Sequence, residues 1–510
     1  MSKARNLLAL VALQLVIACS SPVAVETEAI GLTSSLDTID ALIVPAGTSN
    51  AATIVVLGGL DGQDTERDRI ESMVNEYAGL SGADRSINLY AVPNANPEAS
   101  ALSFPPEGAA YRDNTESHAL WRWLGLLGPD LVMIIGADDS PLIPALEASD
   151  VAGVEGIPVR MPLPSSDLVS LIRMSAPPSP ARIEIERRRE RSAEQFANQL
   201  APIYGQNFGI PIYTDGMALI AHLRLGNLEH VETLAEQYVD GSRDSLESAF
   251  GVSTLVLAGH LVLAELAEIT GDNRYLERAR AAADLSFDEN GEMLEAVPNH
   301  GEMSDAIFMG ASILAAVGDL TGEQRYFDMA VRQIDFMNTL VHRDDGLYRH
   351  SPLAEAAWGR GNGFAAIGYA LTLSKLPTEH PDFDRILDEY RSYMQILASW
   401  QNDDGSWSQV IDYPGVYHET SSTAIIGFSM QRGINRGWLG PEFENNASRA
   451  FQAVLTRTDF EGRFIDVSES TNKQPTSEDY LLREALYGQD NRTGSFAMLF
   501  ATERMAANNN

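Results

Sequence analysis

The sequence predicts a mainly α protein: an (α/α)6 toroid, or barrel, over residues 205–510, preceded by a smaller α/β domain. Three observations carry that reading. TGDNRYLERA begins at 270 and its near-copy TGEQRYFDMA at 321, so one unit is about 50–60 residues, two helices and a loop. Segments apolar all round, such as AIFMGASILAAVG (306–318), alternate with amphipathic ones such as RYFDMAVRQIDFMNTL (325–340), as an inner and an outer ring require. Short apolar strands alternate with helices over 52–140, the pattern of a largely parallel sheet.

At the N-terminus, Lys3 and Arg5 precede the apolar run LLALVALQLVIA (7–18), too short to span a bilayer comfortably. VIAC (16–19) resembles the bacterial lipoprotein box. It implies a signal peptide over 1–18, lipidation of Cys19 and a lipid anchor in a bacterial membrane, at the outer membrane or the periplasmic face. An ordinary signal peptide is the simpler reading. Cys19 is the only cysteine, so neither a disulfide framework nor a thiolate metal site is available. Residues 19–50 lack pattern and read as a tether.

In the α/β domain (51–175), TIVVLGG (53–59), INLYAVPNANP (87–97) and PDLVMIIGADD (129–139) read as strands. RDRIESMVNEYAGL (67–80) and ESHALWRWLGLL (116–127) read as helices. A linker with a helix spans 176–204. Its basic group Arg187, Arg188, Arg189 and Arg191 reads as a solvated face. Turn signals ENGEM (289–293), DDGLY (344–348) and DDGSW (403–407) then punctuate the helical units. An open α-solenoid is the plainer alternative, and it predicts no shared set of polar loop residues.

The formal charge of −35 over 510 residues repels nucleic acid and anionic membrane surfaces. An anionic substrate therefore needs a local basic pocket. WGRGNGF (358–364) puts Arg360 between two glycines at a helix mouth, where a guanidinium suits a carboxylate. Other loops of the repeat carry Asp305 (NHGEMSDAIFMG, 299–310), His350 (GLYRHS, 346–351) and His418 with Glu419 (YHETSSTA, 417–424). Taken alone, Asp305 reads as a helix cap and each histidine as a structural one. Aromatic faces beside fixed donors, recurring at one point of the repeat, suit sugar rings.

These runs, with LASWQNDDGSWSQV and YHETSSTAIIGFSMQRGINRGWL (417–439), resemble the unsaturated glycuronyl hydrolases over about 210–505, most closely glycoside hydrolase family 105, the unsaturated rhamnogalacturonyl hydrolases. The resemblance implies an (α/α)6 barrel that removes the 4,5-unsaturated uronic acid left by polysaccharide lyases. By position, Asp305 is the implied general acid/base. It protonates C4 of the enol ether and then assists addition of water at C5, in the apolar setting that a dual-purpose carboxyl needs. Arg360, Asn362 and His350 are implied to hold the uronate carboxylate and nearby hydroxyls. Trp358 and Phe364 form walls, and Gly361, His418 and Glu419 complete the substrate-binding set. No cofactor or metal is expected.

Two departures stand out. Phe364 replaces the family's usual tryptophan and lacks its N–H donor. The family's second aspartate has no counterpart in FGVSTLVLAGHLVLAEL (250–266), where Ser253 or Thr254 is the candidate substitute. GGLDGQD (58–64) and VPNANPE (92–98) resemble turns of zinc metallocarboxypeptidases in degenerate form. Asp61, Asp64 and Asp138 there suit at most a hard-ion site. The substrate expected is an unsaturated oligosaccharide from an ulvan-like or rhamnogalacturonan-type polyuronide. The alternatives are an inactive glycan-binding or scaffold lipoprotein, and another (α/α)6 enzyme, an epimerase or lyase using His350 and His418.

Overall fold

The structure, a computed structural model, describes residues 22–151, 153–163, 166–173, 176–246 and 252–507. The signal segment 1–18 and Cys19 lie outside the described residues.

The first domain is a six-stranded sheet in the order β1-β2-β4-β3-β5-β6. Its strands are β1 (Glu26–Leu32), β2 (Thr38–Val44), β3 (Ala52–Leu57), β4 (Ile87–Val92), β5 (Leu131–Ile134) and β6 (Val159–Arg160). β3 pairs in parallel with β4 and β5, and β5 with β6; β1 and β2 form an antiparallel hairpin joined to β4. The expected tether is therefore partly sheet. Ile39 and Ala41, at alternate positions of β2, are buried, a short period-2 signal that the surrounding Glu, Asp and Thr residues mask.

Alternation along β3 sends Val55 and Leu57 to one face and Ile54 and Val56 to the other. On the first face pack α2 (Thr115–Leu127), α3 (Leu142–Ala148) and α5 (Pro180–Arg189). On the second lie α1 (Arg67–Ala78) and α4 (Leu168–Ile172). The basic group around α5 is only in part a solvated face: Arg187 and Arg189 are exposed, whereas Arg188 and Arg191 are buried. Arg188 is wholly buried and, with Arg191, donates to the carbonyls of Leu455, Thr456 and Thr458 at the end of a later helix, where orphaned carbonyls favour cations.

The second domain is a closed double ring. Its inner helices are α7 (Tyr213–Arg224), the pair α9 (Thr254–Gly259) and α10 (Leu261–Thr270), α12 (Ser312–Thr321), α14 (Gly359–Lys375), α16 (Thr420–Asn435) and α19 (Asn491–Ala507). The ring closes because α19 packs on α7. The outer helices are α6 (Ala193–Leu200), α8 (Leu228–Val239), α11 (Asn273–Asp284), α13 (Gln324–Val341), α15 (Phe383–Ser399) and α17 (Glu444–Thr456). Because α6 is the outer partner of α19, the toroid begins near 193 rather than 205. The repeated TGDNRY and TGEQRY runs form one junction twice. Gly271 and Gly322 end an inner helix with φ +71, a conformation glycine adopts without penalty, and Tyr275 and Tyr326 are buried in the next helix.

The α/β domain docks on the loops at the N-terminal end of the inner ring. Arg122 of α2 forms a buried ion pair of 2.6 Å with Asp466 of the strand Phe464–Ser468. Tyr111 stacks on Tyr417 with ring centroids 4.7 Å apart, and Leu32 joins Trp358, Val410 and Tyr480 in one apolar cluster.

Candidate active site

Inner and outer helices alternate in direction, so every inner helix opens at the same mouth. There stand Tyr213, Ser253 and Thr254, Asp305, Arg360, Glu419 and Arg492. Beneath them Tyr213, Phe308, Phe364 and Phe496 close the centre of the ring, Phe308 and Phe364 being parallel at 5.8 Å. Phe364 is thus part of the packed aromatic centre of the ring rather than a side wall, and a packed apolar centre has no use for an indole donor. Burial raises the Tyr213 phenol above its ordinary value, although Arg492 Nε donates to its oxygen at 3.1 Å.

Asp305 is 2% exposed. The loop before it carries positive φ at Asn299, Gly301 and Glu302, backbone strain of the kind that gathers at functional sites. Directly after it the chain makes a π-helical turn, Ile307–Ala311, a form used sparingly and often at such sites. The Ser304 N–H donates to the His350 carbonyl at 2.9 Å, which ties the two loops together. Gly361 allows the close approach: a Cβ there would lie 2.7 Å from Ser304 Oγ and 3.3 Å from the Trp358 ring.

His350 is wholly buried, its Nε2 3.4 Å from Asp305 Oδ1 and its Nδ1 2.7 Å from Tyr480 Oη. Asp305 Oδ1, His350 Nε2 and Ser304 Oγ are all buried without a hydrogen-bond partner among the described residues. Three such atoms side by side are costly unless a ligand or water completes them. Asp305 is also the one carboxylate with a buried unpartnered oxygen among the described residues. Trp358 packs 4.3 Å from the His350 ring and donates its indole N–H to Gln409.

The other expected ligands point elsewhere. Every nitrogen of Arg360 is already engaged by protein: it donates to Ser421 Oγ, to the carbonyls of Ser468 and Ser470, and to Glu419. Glu419 caps α16, accepting from the N–H groups of Ser421, Ser422 and Ser468. Asn362 bonds the backbone of Tyr348 and Trp358 and the Tyr393 hydroxyl, facing the outer ring. His418 pairs with Asp404 at 3.0 Å beside Arg457. Burial opposes its charged form, but Asp404 outweighs this and raises its pKa. His350 and His418 do not meet as a catalytic pair.

Ser253 opens α9 with its Oγ unpartnered among the described residues, and no carboxylate stands in the described part of that turn. In the α/β domain, Asp61 accepts from the Gln63 N–H and Asp64 pairs with Arg67 at 2.7 Å. Among the described residues no three candidate ligands gather as a metal site. Sequence reasoning missed Tyr480, Arg483, Tyr213 and Ser304. Tyr213 was accessible in principle, because it opens an inner helix as Asp305 does. Tyr480 and Arg483 lie in YLLREALYG, which has no motif.

The opposite end of the ring holds a cavity of about 200 Å³. Of its four lining cations, Arg224 and Arg432 are paired with Glu503 and Lys375 with Glu268, while Arg436 is exposed to solvent. Three of the four charges are thus already neutralised, whereas the mouth holds the buried carboxyl oxygen that no protein donor fills among the described residues.

The sequence profile of Glycosyl Hydrolase Family 88 matches residues 227–507. The unsaturated rhamnogalacturonyl hydrolase YesR of Bacillus subtilis (strain 168) is 25% identical over 244 residues, 44% of this chain and 69% of the relative. An unsaturated 3S-rhamnoglycuronyl hydrolase of Alteromonas sp. (strain LOR) is 24% identical over 184 residues, 34% of this chain and only 45% of that relative. The solved C. acetobutylicum glycoside hydrolase from family 105 superposes with a TM-score of 0.51 at 18% identity. The match spans 61% of this chain and 99% of that one. This last likeness establishes the (α/α)6 fold of the toroid.

Proposed function

Since the chain belongs to Glycosyl Hydrolase Family 88, we propose that it removes the 4,5-unsaturated uronic acid from the non-reducing end of lyase-generated oligosaccharides, with Asp305 as proton donor. The observation that carries this reading is the one carboxylate at the mouth with a buried oxygen left unpartnered among the described residues. Displacement at the anomeric carbon uses two carboxyl groups flanking the bond. Glu419, the other buried acid there, is occupied by its cap and by Arg360. Hydration of an enol ether needs only one. Asp305 gives its proton to C4, a water oxygen bonds to C5, and the water's proton returns to the carboxylate. The hemiketal then opens and the aglycone leaves.

The two relatives named above act, by their names, on rhamnogalacturonyl and rhamnoglycuronyl substrates. They support a uronate linked to rhamnose as the target, from an ulvan-like or pectic polyuronide. The net charge of −35 suits a saline exterior, where salt screens self-repulsion. The lipoprotein box at Cys19 supports an anchor at the bacterial cell envelope, and Cys19→Ala should move the protein from the membrane fraction to the soluble one.

The test uses lyase digests of several polyuronides and the ultraviolet band of the conjugated double bond. The wild type should bleach the band of a rhamnose-linked digest, and Asp305→Asn should not. Bleaching unchanged in Asp305→Asn, or binding of every digest without bleaching by the wild type, rejects the proposal.

A further inference from the structure

Arg483 follows the short helix α18 (Ser477–Leu481) and is 4% exposed. Its Nη2 donates to Ser470 Oγ at 2.8 Å and to the Asn472 carbonyl at 2.9 Å. Its Nε and Nη1 are buried and have no hydrogen-bond partner among the described residues. Glu469, an exposed residue, is the acid whose charge bears on Arg483, yet it forms no ion pair with it; Glu419 faces Arg360 at 3.4 Å and Glu484 faces Arg112 at 3.7 Å. Burial lowers the pKa of Arg483, and the positive charge of Arg360 adds to that effect. A guanidinium buried without a counter-ion is expensive to keep, unless an anionic ligand completes it.

Its surroundings say which anion. The Arg483 Cζ lies 4.9 Å from the Trp358 ring and 5.9 Å from the Tyr480 ring. Both aromatic side chains pack on His350, which faces Asp305. The acid and the free guanidinium thus flank the same aromatic pair. We propose that Arg483, rather than Arg360, receives the substrate's uronate carboxylate through charge-assisted hydrogen bonds from its unpartnered N–H groups. This rests on the reading of the site as an unsaturated-uronyl site. The segment 470–474, which supplies both acceptors of Arg483, is tied to the loop before Asp305: Lys473 donates to the Gly301 carbonyl at 2.9 Å and pairs with Glu302 at 3.5 Å.

The experiment compares an unsaturated uronyl-rhamnose disaccharide with its C6 methyl ester. Hydrolysis is followed by loss of the ultraviolet band and binding by calorimetry, for wild type, Arg483→Gln and Arg483→Lys. The wild type should prefer the acid by roughly 100-fold, the scale of one buried charged partner. Arg483→Gln should bring the ratio near one, mainly by weakening the acid, with Arg483→Lys between. A folded Arg483→Gln that keeps the wild-type ratio overturns the proposal. If that variant does not fold, an unchanged ratio in Arg483→Lys overturns it instead. Acid-selective binding that depends on Arg483, without hydrolysis, upholds the carboxylate receptor and rejects the hydrolase reading. Hydrolysis with an acid preference independent of Arg483 does the reverse. A wild type that neither hydrolyses the acid nor prefers to bind it rejects both.

Discussion

Asp305 Oδ1 and His350 Nε2 face each other at 3.4 Å inside the mouth of the toroid, within ion-pair distance yet without a hydrogen bond. A carboxylate in a folded interior usually has its lone pairs filled by protein donors. The Oδ1 atom of this one is left without a protein donor among the described residues, which suits the proposed transfer of a proton to an incoming carbon.

Asp305→Asn keeps the shape and removes the transferable proton. The kcat/KM for band loss should fall by about 10³-fold or more, within the range of general acid catalysis. Thermal unfolding should show a cooperative transition close to that of the wild type, since no hydrogen bond of Oδ1 is lost.

Tyr480 is a positioning residue. The tautomer that places a proton on His350 Nε2, facing Asp305, is the one in which Tyr480 Oη donates to Nδ1 across 2.7 Å. Tyr480→Phe keeps the ring against Trp358 and removes that donor. The expected result is a fall in kcat of about 10-fold with KM nearly unchanged, and a displaced pH–rate profile. A loss confined to KM would assign Tyr480 to binding instead.

Arg360 should behave as a structural residue. Its guanidinium and the Glu419 carboxylate are both wholly buried, and Arg360→Gln leaves the acid without its cation. Urea unfolding should show a loss of about 3–5 kcal/mol. Arg360→Lys should not restore it, because one ammonium cannot reach Ser421, Ser468, Ser470 and Glu419 together.

His260, at the junction of α9 and α10, makes its contacts with the Val256 carbonyl at 2.8 Å and Ser245 Oγ at 2.9 Å. Burial pushes its pKa down to about 4. The unfolded chain takes up a proton near the ordinary histidine value and the folded chain does not, so stability is full above about 6.5 and falls as pH drops toward about 4. The contribution lost is about 3 kcal/mol. His260→Gln should flatten that part of the stability–pH curve in calorimetry; an unchanged slope would assign the acid loss to other groups.

Local signals reached the ring and its acid. The glycines at 271 and 322, the apolar runs of the inner helices and the carboxylate opening the helix at 305 are features of short windows, governed by backbone conformation and periodicity. The β1–β2 hairpin was hidden because its polar residues mask the alternation of Ile39 and Ala41. The basic run around α5 misled in part, for a related reason. Charge alone does not reveal that the end of α17, some 265 residues on, offers carbonyls to Arg188 and Arg191.

The twelve-helix ring and its family are legible in residues that repeat or sit at helix starts, and the same signals single out Asp305 as the candidate proton donor. Which guanidinium keeps unpartnered donors emerges only once the chain is folded. Arg360 stands in the conspicuous motif, but residues 419, 421, 468 and 470 converge on it from distant loops and use its donors. Arg483 sits in an unremarked stretch and keeps two nitrogens unpartnered among the described residues. Hydrogen-bond capacity is finite, and the order of residues along a chain does not say where it has been used.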